Sequence, residues 1–216
     1  ARVSYQQKDI VKSAGFRWDP DRRNWYTTDP AIAARLGDTD ALAAEIAVNL
    51  ADVRRRMAEA AARAGRDMAA ITLVAIAKTH SQAAVRAALA AGQNVFGENR
   101  VQEAEAKYPA LRSESQLELH LVGPLQTNKV RQALGLFDMI ETVDREKLAR
   151  ALASELQKTD RRPAFLIEVN TGEEPQKAGV TPVDADRFIA LCRNELRLPV
   201  TGLMCVPPLG EEPAPH

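Results

Sequence analysis

The sequence predicts an α/β protein: an incomplete (β/α) barrel of the TIM type, with about six of eight strands, preceded by a small α+β module. Three observations carry this reading. From residue 71 onward, short apolar runs rich in β-branched side chains alternate with Ala-rich helical stretches, the order of a parallel sheet covered by helices. No G-x-G-x-x-G follows any of these runs, which argues for a barrel and against a dinucleotide-binding sheet. Aromatic content and charge both shift near the stretch GDTD, which divides the chain into a module of residues 1–38 and a domain of residues 39–216.

In the first module, QQKDIVKSAG reads as a short helix closed by Gly15. FRWDPDRRNWYTT reads as a hairpin, two aromatic strands around the turn DPDRRN. DPAIAARLG begins another helix, with Asp29 as N-cap and Pro30 at the first helical position. Tyr5, Phe16, Trp18, Trp25 and Tyr26 all precede residue 37, among seven basic residues and four acids. Basic residues interleaved with aromatics suit stacking and phosphate contacts with single-stranded nucleic acid. A small core built from Phe16, Trp18, Trp25 and Tyr26 is the simpler reading and is favoured, because so short a segment needs those side chains to hold itself together.

The second domain opens with a helix over residues 40–65, where Leu42, Ile46, Leu50, Val53 and Met57 fall three or four apart on one face and Gly65 ends the pattern. Strands are expected at 71–77, 94–96, 117–122, 137–143, 163–169 and 198–206. Helices are expected at 82–91, 99–107, 128–134, 144–157 and 184–196. The run at 71–77, ITLVAIA, reads as fully buried.

Composition narrows the function classes. Basic and acidic residues balance at 29 each, so no global field points to nucleic acid or to a membrane surface. No apolar run is long enough to cross a bilayer and no signal peptide is evident. Cys192 and Cys205 have no metal-site or disulfide-framework spacing, which makes a reducing cytoplasm the expected location. The chain starts without Met and stops in the Pro-rich PPLGEEPAPH, so both ends read as cut.

In a βα barrel, chemistry gathers at the carboxyl ends of the strands. Read in order, those ends supply Lys78, then Glu98 and Asn99 in FGEN, His120 in ELHLVG, Asp144 in ETVD, Asn170 in EVN, and Met204 with Cys205 in GLMC. Lys78 is the sharpest of them. A poorly hydrated mouth disfavours the ammonium form, and a neutral amine on a flexible stem attacks aldehydes to form Schiff bases. The ordinary alternative is a lysine that reaches solvent, paired with Glu98. Asn99 suits a ligand hydroxyl or a helix cap. His120 suits a satisfied core position or a ligand contact. Asp144 reads as the cap of the DREKLARALASEL helix, Lys177 as a solvated loop lysine, and Cys205 as strand packing.

From about residue 49 to residue 216 the chain closely resembles the pyridoxal-5′-phosphate homeostasis proteins. The resemblance is carried by NLADVRRRMAEAAARAGRD, TLVAIAKTH, FGENRVQEA, LELHLVGPLQTNK, TVDREKLA, EVNTGEEPQKAGV and GLMCVPP, in that order. It implies a single barrel related to the N-terminal domain of alanine racemases, with pyridoxal 5′-phosphate (PLP) held as an aldimine on Lys78. It also implies cofactor contacts from Asn99, His120, Asn170 and Met204, and an accessory or transfer role for Lys177. Ala77 stands where the family usually has Ser, and His80 where many members have another basic or polar residue. The family pattern continues past residue 216 with a helix, two further strands and the Ser/Gly/Thr-rich loops that hold the phosphate. Residues 1–36 lie outside the family and are similar to a small module fused to helicase-like and other nucleic-acid enzymes.

The implied function is a non-catalytic carrier or buffer that supplies PLP to apo-enzymes. Three alternatives stand beside it. A racemase- or decarboxylase-like enzyme needs a second acid/base, which racemases take from a C-terminal β-domain. Here Tyr108, in a KYPAL loop far from the strand ends, is a poor substitute. A nucleic-acid module would act through residues 1–36, with salt-dependent binding. A barrel fragment without function is the third.

Overall fold

The computed structural model of the protein describes residues 17–19, 24–26 and 39–208. The expected helices at 6–15 and from Asp29, the aromatic side chains of the first module and the last eight residues lie outside these. Of the hairpin, β1 (Arg17–Asp19) and β2 (Asn24–Tyr26) pair antiparallel with Trp18 opposite Trp25, the arrangement expected of FRWDPDRRNWYTT.

One compact unit is helical. Its α1 (Thr39–Arg63) ends where Gly65 adopts a left-handed φ of 62°. A short 3-10 turn, Met68–Ala70, is capped by Asp67, whose carboxylate accepts from the Ala69 N–H at 2.9 Å. In α2 (Gln82–Ala90) the Ser81 hydroxyl caps the N-terminus by accepting from the Ala84 N–H at 3.2 Å. Arg54 of α1 donates to the carbonyls of Ala91 (3.1 Å) and Gly92 (2.7 Å). It thereby satisfies carbonyls that a helix end leaves unpaired and places a cation where the dipole favours one.

The other unit is a parallel sheet. Its strands are β3 (Ala75–Ile76), β4 (Val95–Glu98), β5 (Glu118–Leu121), β6 (Met139–Val143), β7 (Ala164–Glu168) and β8 (Val200–Met204), each beside its successor. Every neighbouring pair is parallel. Strand order without reversal is the barrel arrangement; a doubly wound sheet would reverse at a switch point. The unit's helices are α3 (Val101–Glu114), α4 (Val130–Leu136), α5 (Glu146–Leu156) and α6 (Pro182–Ala190), the last running into a π-helical turn at Leu191–Glu195.

Alternation gives the sheet two faces. Phe96, Leu119, Leu121, Ile140, Phe165 and Ile167 form the helix-facing side and are at most 1% exposed. Leu111, Ala133, Leu148 and Leu152 seal them from the helices. The opposite, inner face carries one continuous rung, Ile76, Gly97, His120, Met139 and Ala164, set by the register of five successive strands. A side chain at Gly97 would place its Cβ 2.6 Å from Ile76 Cδ1, so glycine is what lets Ile76 lie flat there.

Two expectations need correction. The run at 71–77 is not fully buried, contrary to the expectation from its composition. Only Ala77 is, while Ile76, on the inner face, is 45% exposed, and the strand shrinks to Ala75–Ile76. Helix α3 does not stop at Lys107: it passes through Pro109 to Glu114, so Tyr108 is a buried helical residue and not part of a loop. An interior proline costs a helix about 3 kcal/mol. Tyr108 and Leu111 are both fully buried, and each large apolar side chain sealed this way returns about 1.5–3 kcal/mol. Packing therefore outweighs the break.

Gly123, just after β5, allows the Asn99 backbone to approach closely; an added Cβ would lie 2.7 Å from Asn99 Cα. Gly123→Ala is expected to lower stability by roughly 1–3 kcal/mol. Gly135→Ala, within α4 and with nothing within 4 Å of its Cβ, is expected to raise it by about 0.5–1 kcal/mol. Thermal unfolding of both variants beside the parent checks this, and a neutral Gly123→Ala would show that Asn99 is not held against Gly123.

Candidate functional site

Lys78 follows the first strand of the sheet. Ile76 is exposed, Ala77 is 6% exposed and Lys78 is exposed, so alternation puts Lys78 on the inner face with Ile76. The Ala77 N–H donates to Gly97 O at 2.9 Å, extending the ladder by one bond. Thr79, the next residue after Lys78, has φ 65°, a left-handed conformation that is costly for a β-branched side chain. Lys78 itself makes no hydrogen bond or ion pair among the described residues.

Its expected partner, Glu98, is elsewhere. Glu98 is on the helix-facing side of β4, fully buried, and its Oε1 accepts from Lys107 Nζ at 2.6 Å. The same ammonium donates to Ala77 O at 2.8 Å. Parity explains the correction: Glu98 is an even step from Phe96 and an odd step from Gly97, so it points into the helix layer. Burial raises the Glu98 carboxyl above its usual range, with Lys107 opposing the rise. Tyr108 Oη makes no hydrogen bond of ordinary geometry among the described residues, yet burial and the Glu98 charge both raise it.

Asn99 follows β4 on the strand next to Lys78 and does not cap the helix after it. Arg100 takes the N-cap position of α3, without a side-chain bond. Asn99 instead lines a cleft of about 860 Å³ between the loops after β4 and β5, with Arg100, Gln126, Lys129 and Arg145 on its walls. Asp144 is no cap either. Arg145 stands at the N-cap of α5, and Asp144 pairs with it at 2.5 Å.

His120 lies on the inner face, two residues short of the level that Lys78 and Asn99 reach on their own strands. It is 4% exposed. Nδ1 bonds Glu141 Oε1 at 2.6 Å and Nε2 bonds Glu118 Oε1 at 2.9 Å. Burial by itself would lower the imidazole; the two carboxylates outweigh it and the net shift is upward.

At the far end of the sheet, Asn170 is spent on its own loop. Its Nδ2 donates to Glu174 O at 2.8 Å and its Oδ1 accepts from the Glu174 N–H at 3.2 Å. Gly179, at φ 107°, makes room for the Asn170 N–H, which donates to Val180 O at 2.9 Å. Lys177 is not simply solvated: it pairs with Glu174 and donates to the carbonyls of Val206 and Pro207, each at 3.2 Å. Met204 ends β8 opposite Glu168. Cys205 is exposed, which corrects its reading as packing, because the strand stops one residue earlier.

The structure thus brings Lys78 and Asn99 together at the ends of the first two strands of the sheet, and Met204 beside Glu168 at the ends of the last two. Sequence reading missed two residues. Lys107 looks like one more exposed helix lysine; its signal was the buried stripe Val101, Ala104, Tyr108 and Leu111 beside it. Glu168 ends β7 on the inner face with Oε2 buried and unbonded among the described residues, and burial, then the Asp144 charge, raise its carboxyl. Among the described residues no group of three or more His, Cys, Asp or Glu could hold a metal ion.

Comparison with known proteins adds to this geometry. Residues 48–216 match the alanine racemase N-terminal domain family, and residues 1–27 match a domain of unknown function. The pyridoxal phosphate homeostasis protein of Pseudomonas aeruginosa is 39% identical over 178 residues, 79% of this chain and 74% of the relative. PipY of Synechococcus elongatus, solved with PLP bound, is 35% identical with a TM-score of 0.64, covering 78% of this chain and 74% of that one. A protein of unknown function from Bifidobacterium adolescentis is 30% identical with a TM-score of 0.75, covering 82% and 75%.

The His120 clamp has a pH signature. A histidine raised in the folded state stabilises the fold fully below its ordinary value of 6.5, and that contribution is lost as pH rises through the raised value. The parent should therefore lose melting temperature relative to His120→Gln as pH climbs above 6.5, by about 2–4 °C for each kcal/mol. Parallel melting curves for the two across that range would refute the clamp.

Proposed function

Because the chain belongs to the pyridoxal phosphate homeostasis protein family, we propose that it holds PLP reversibly on Lys78 and gives it up to apo-enzymes, acting as a carrier and not as a catalyst. The observation that carries this is the state of Lys78: an exposed amine without an ion pair among the described residues, at the carboxyl end of the first strand of a parallel barrel-type sheet. That amine fits the aldehyde end of the cofactor. PLP, when bound, supplies an aldehyde carbon that condenses with a neutral amine, releasing water and leaving a C=N bond that water can reverse.

The chain's own residues divide the task. Lys78 Nζ forms the bond. Asn99, on the neighbouring strand end, offers an amide donor and acceptor to polar groups of the ligand. Met204 supplies a polarizable wall. His120 and Asn170 support the site from behind, since their polar atoms are already engaged within the fold. Glu168, raised by burial, holds a proton at its buried carboxyl more readily than an exposed glutamate does.

The carrier reading is preferred to a racemase- or decarboxylase-like enzyme on position. Carbon-acid chemistry needs a second acid or base facing the substrate carbon. Tyr108 is buried behind the sheet against Glu98, on the face opposite Lys78, and cannot face a substrate held there. Residues 1–38 are read as a small basic and aromatic N-terminal module and residues 39–216 as the binding domain, working in the cytoplasm. Both cysteines are free, and no helix of the described residues is long and apolar enough to cross a membrane.

The test is an absorbance titration of the full chain with PLP, repeated after borohydride and with Lys78→Ala. A visible band that borohydride bleaches, with the added mass on the Lys78 peptide and neither seen in the variant, is the expected result. It should survive deletion of residues 1–38. Equal labelling of parent and variant would mean that only surface lysines react, and the carrier reading would fall.

A further inference from the structure

We propose that Lys107, together with Glu98, is a positioning pair for Lys78, fixing the Ala77–Lys78 peptide from the helix side of the sheet and so setting how the amine on the other side is presented. The inference rests on the function proposed above.

The geometry is specific. Lys107 Nζ donates to Glu98 Oε1 at 2.6 Å and to Ala77 O at 2.8 Å. The side chains are 11% and 0% exposed. Ala77 is covalently joined to Lys78, and the peptide between them is planar. Holding the Ala77 carbonyl therefore also orients the Lys78 nitrogen and restricts its Cα. Strand β3 is two residues long, its ladder ends with the Ala77 N–H on Gly97 O at 2.9 Å, and Thr79 beyond Lys78 is left-handed at φ 65°. A strained residue persists only where its surroundings hold it.

Stability alone does not account for the pair. Taking two charges out of water costs several kcal/mol per ion, and apolar replacements of both partners are often neutral or stabilising. What an apolar pair could not do is donate to the Ala77 carbonyl. The partners also come from the right places. Glu98 ends β4 just before Asn99, and α3 brings Lys107 back over the same strand end beside the ring of Tyr108, 5.8 Å from its ammonium. One buried pair thus ties the backbone next to two of the residues assigned to the ligand, Lys78 and Asn99. Lys107 faces away from the ligand side, so its role is positioning.

The test uses the full chain with Lys107→Met, Lys107→Arg and the double variant Lys107→Met/Glu98→Gln, which leaves no buried charge unpaired. Melting curves first establish which variants fold. Two readouts follow. One is PLP affinity and the pH midpoint of the Lys78-dependent visible band. The other needs no PLP: the rate and pH midpoint of Lys78 methylation by formaldehyde with cyanoborohydride, read by peptide mass against the exposed Lys147 and Lys158. The folded double variant should bind PLP about tenfold more weakly, with displaced pH midpoints in both readouts, because small misplacements of a reacting group carry penalties of that order or larger. Lys107→Arg, which keeps donors and charge, should recover much of the loss. A folded double variant with parental affinity and parental midpoints would overturn the proposal. If the parent shows no Lys78-dependent band, the carrier reading fails by itself, and unchanged methylation of Lys78 in the variants would then sink the positioning role separately.

Discussion

Side-chain alternation on a parallel ladder is the constraint from which the rest of this molecule follows. Each strand must offer one face to the helices, and that face tolerates almost nothing but large apolar side chains, as Phe96, Leu119, Ile140 and Phe165 show. The inner face is released from that demand. It can carry Gly97, His120 and Glu168, and at the strand ends Lys78 and Asn99. A one-residue slip in any strand would exchange its two faces, and in β3 it would turn Lys78 towards the helix layer. Register and chemistry are therefore the same requirement.

Several polar residues of the sheet unit are tied to partners on neighbouring strands and loops. His120 is held between two carboxylates, and Asp138 bonds the Leu119 N–H at 2.9 Å while receiving Arg112 and Arg161. Thr142 donates to Gly123 O at 2.8 Å beneath the same loop that presses on Asn99. These bonds span neighbouring strands and loops, so they tie adjacent strands to one another more than they add to net stability. The buried thiol of Cys192, pushed up to about 11 by desolvation, is inert packing in this scheme.

Much of the fold was legible because its signal is local. Runs such as AFLIE and MIETV mark strands by their β-branched and aromatic content, and the helix periods between them stand out. What could not be read was long-range competition. Pro109 marks a helix end to any local rule, yet Tyr108 and Leu111 gain enough from burial to carry the helix past it. Asp144 and Asn99 look like caps, but the arginines after them take the cap positions. For the site, Lys78 was conspicuous because a lysine ends an apolar run. Glu98 was noticed and given the wrong partner, since nothing in FGEN reveals which face the glutamate takes. Lys107 was missed because an inward-turned lysine and a solvated one are spelled alike.

The buried Glu98–Lys107 pair also bears on how such a sequence can change over generations. Losing either residue alone strands a charge in the helix layer, a change of the size that removes a protein from selection. Losing both is far milder for the fold. The two positions are therefore epistatic: a lineage leaves this arrangement through a narrow passage or not at all. If the pair serves only packing, apolar substitutes should accumulate on the far side of that passage. If it holds the backbone beside the reactive lysine, drift across it ends in a folded barrel that has lost its grip on the aldehyde.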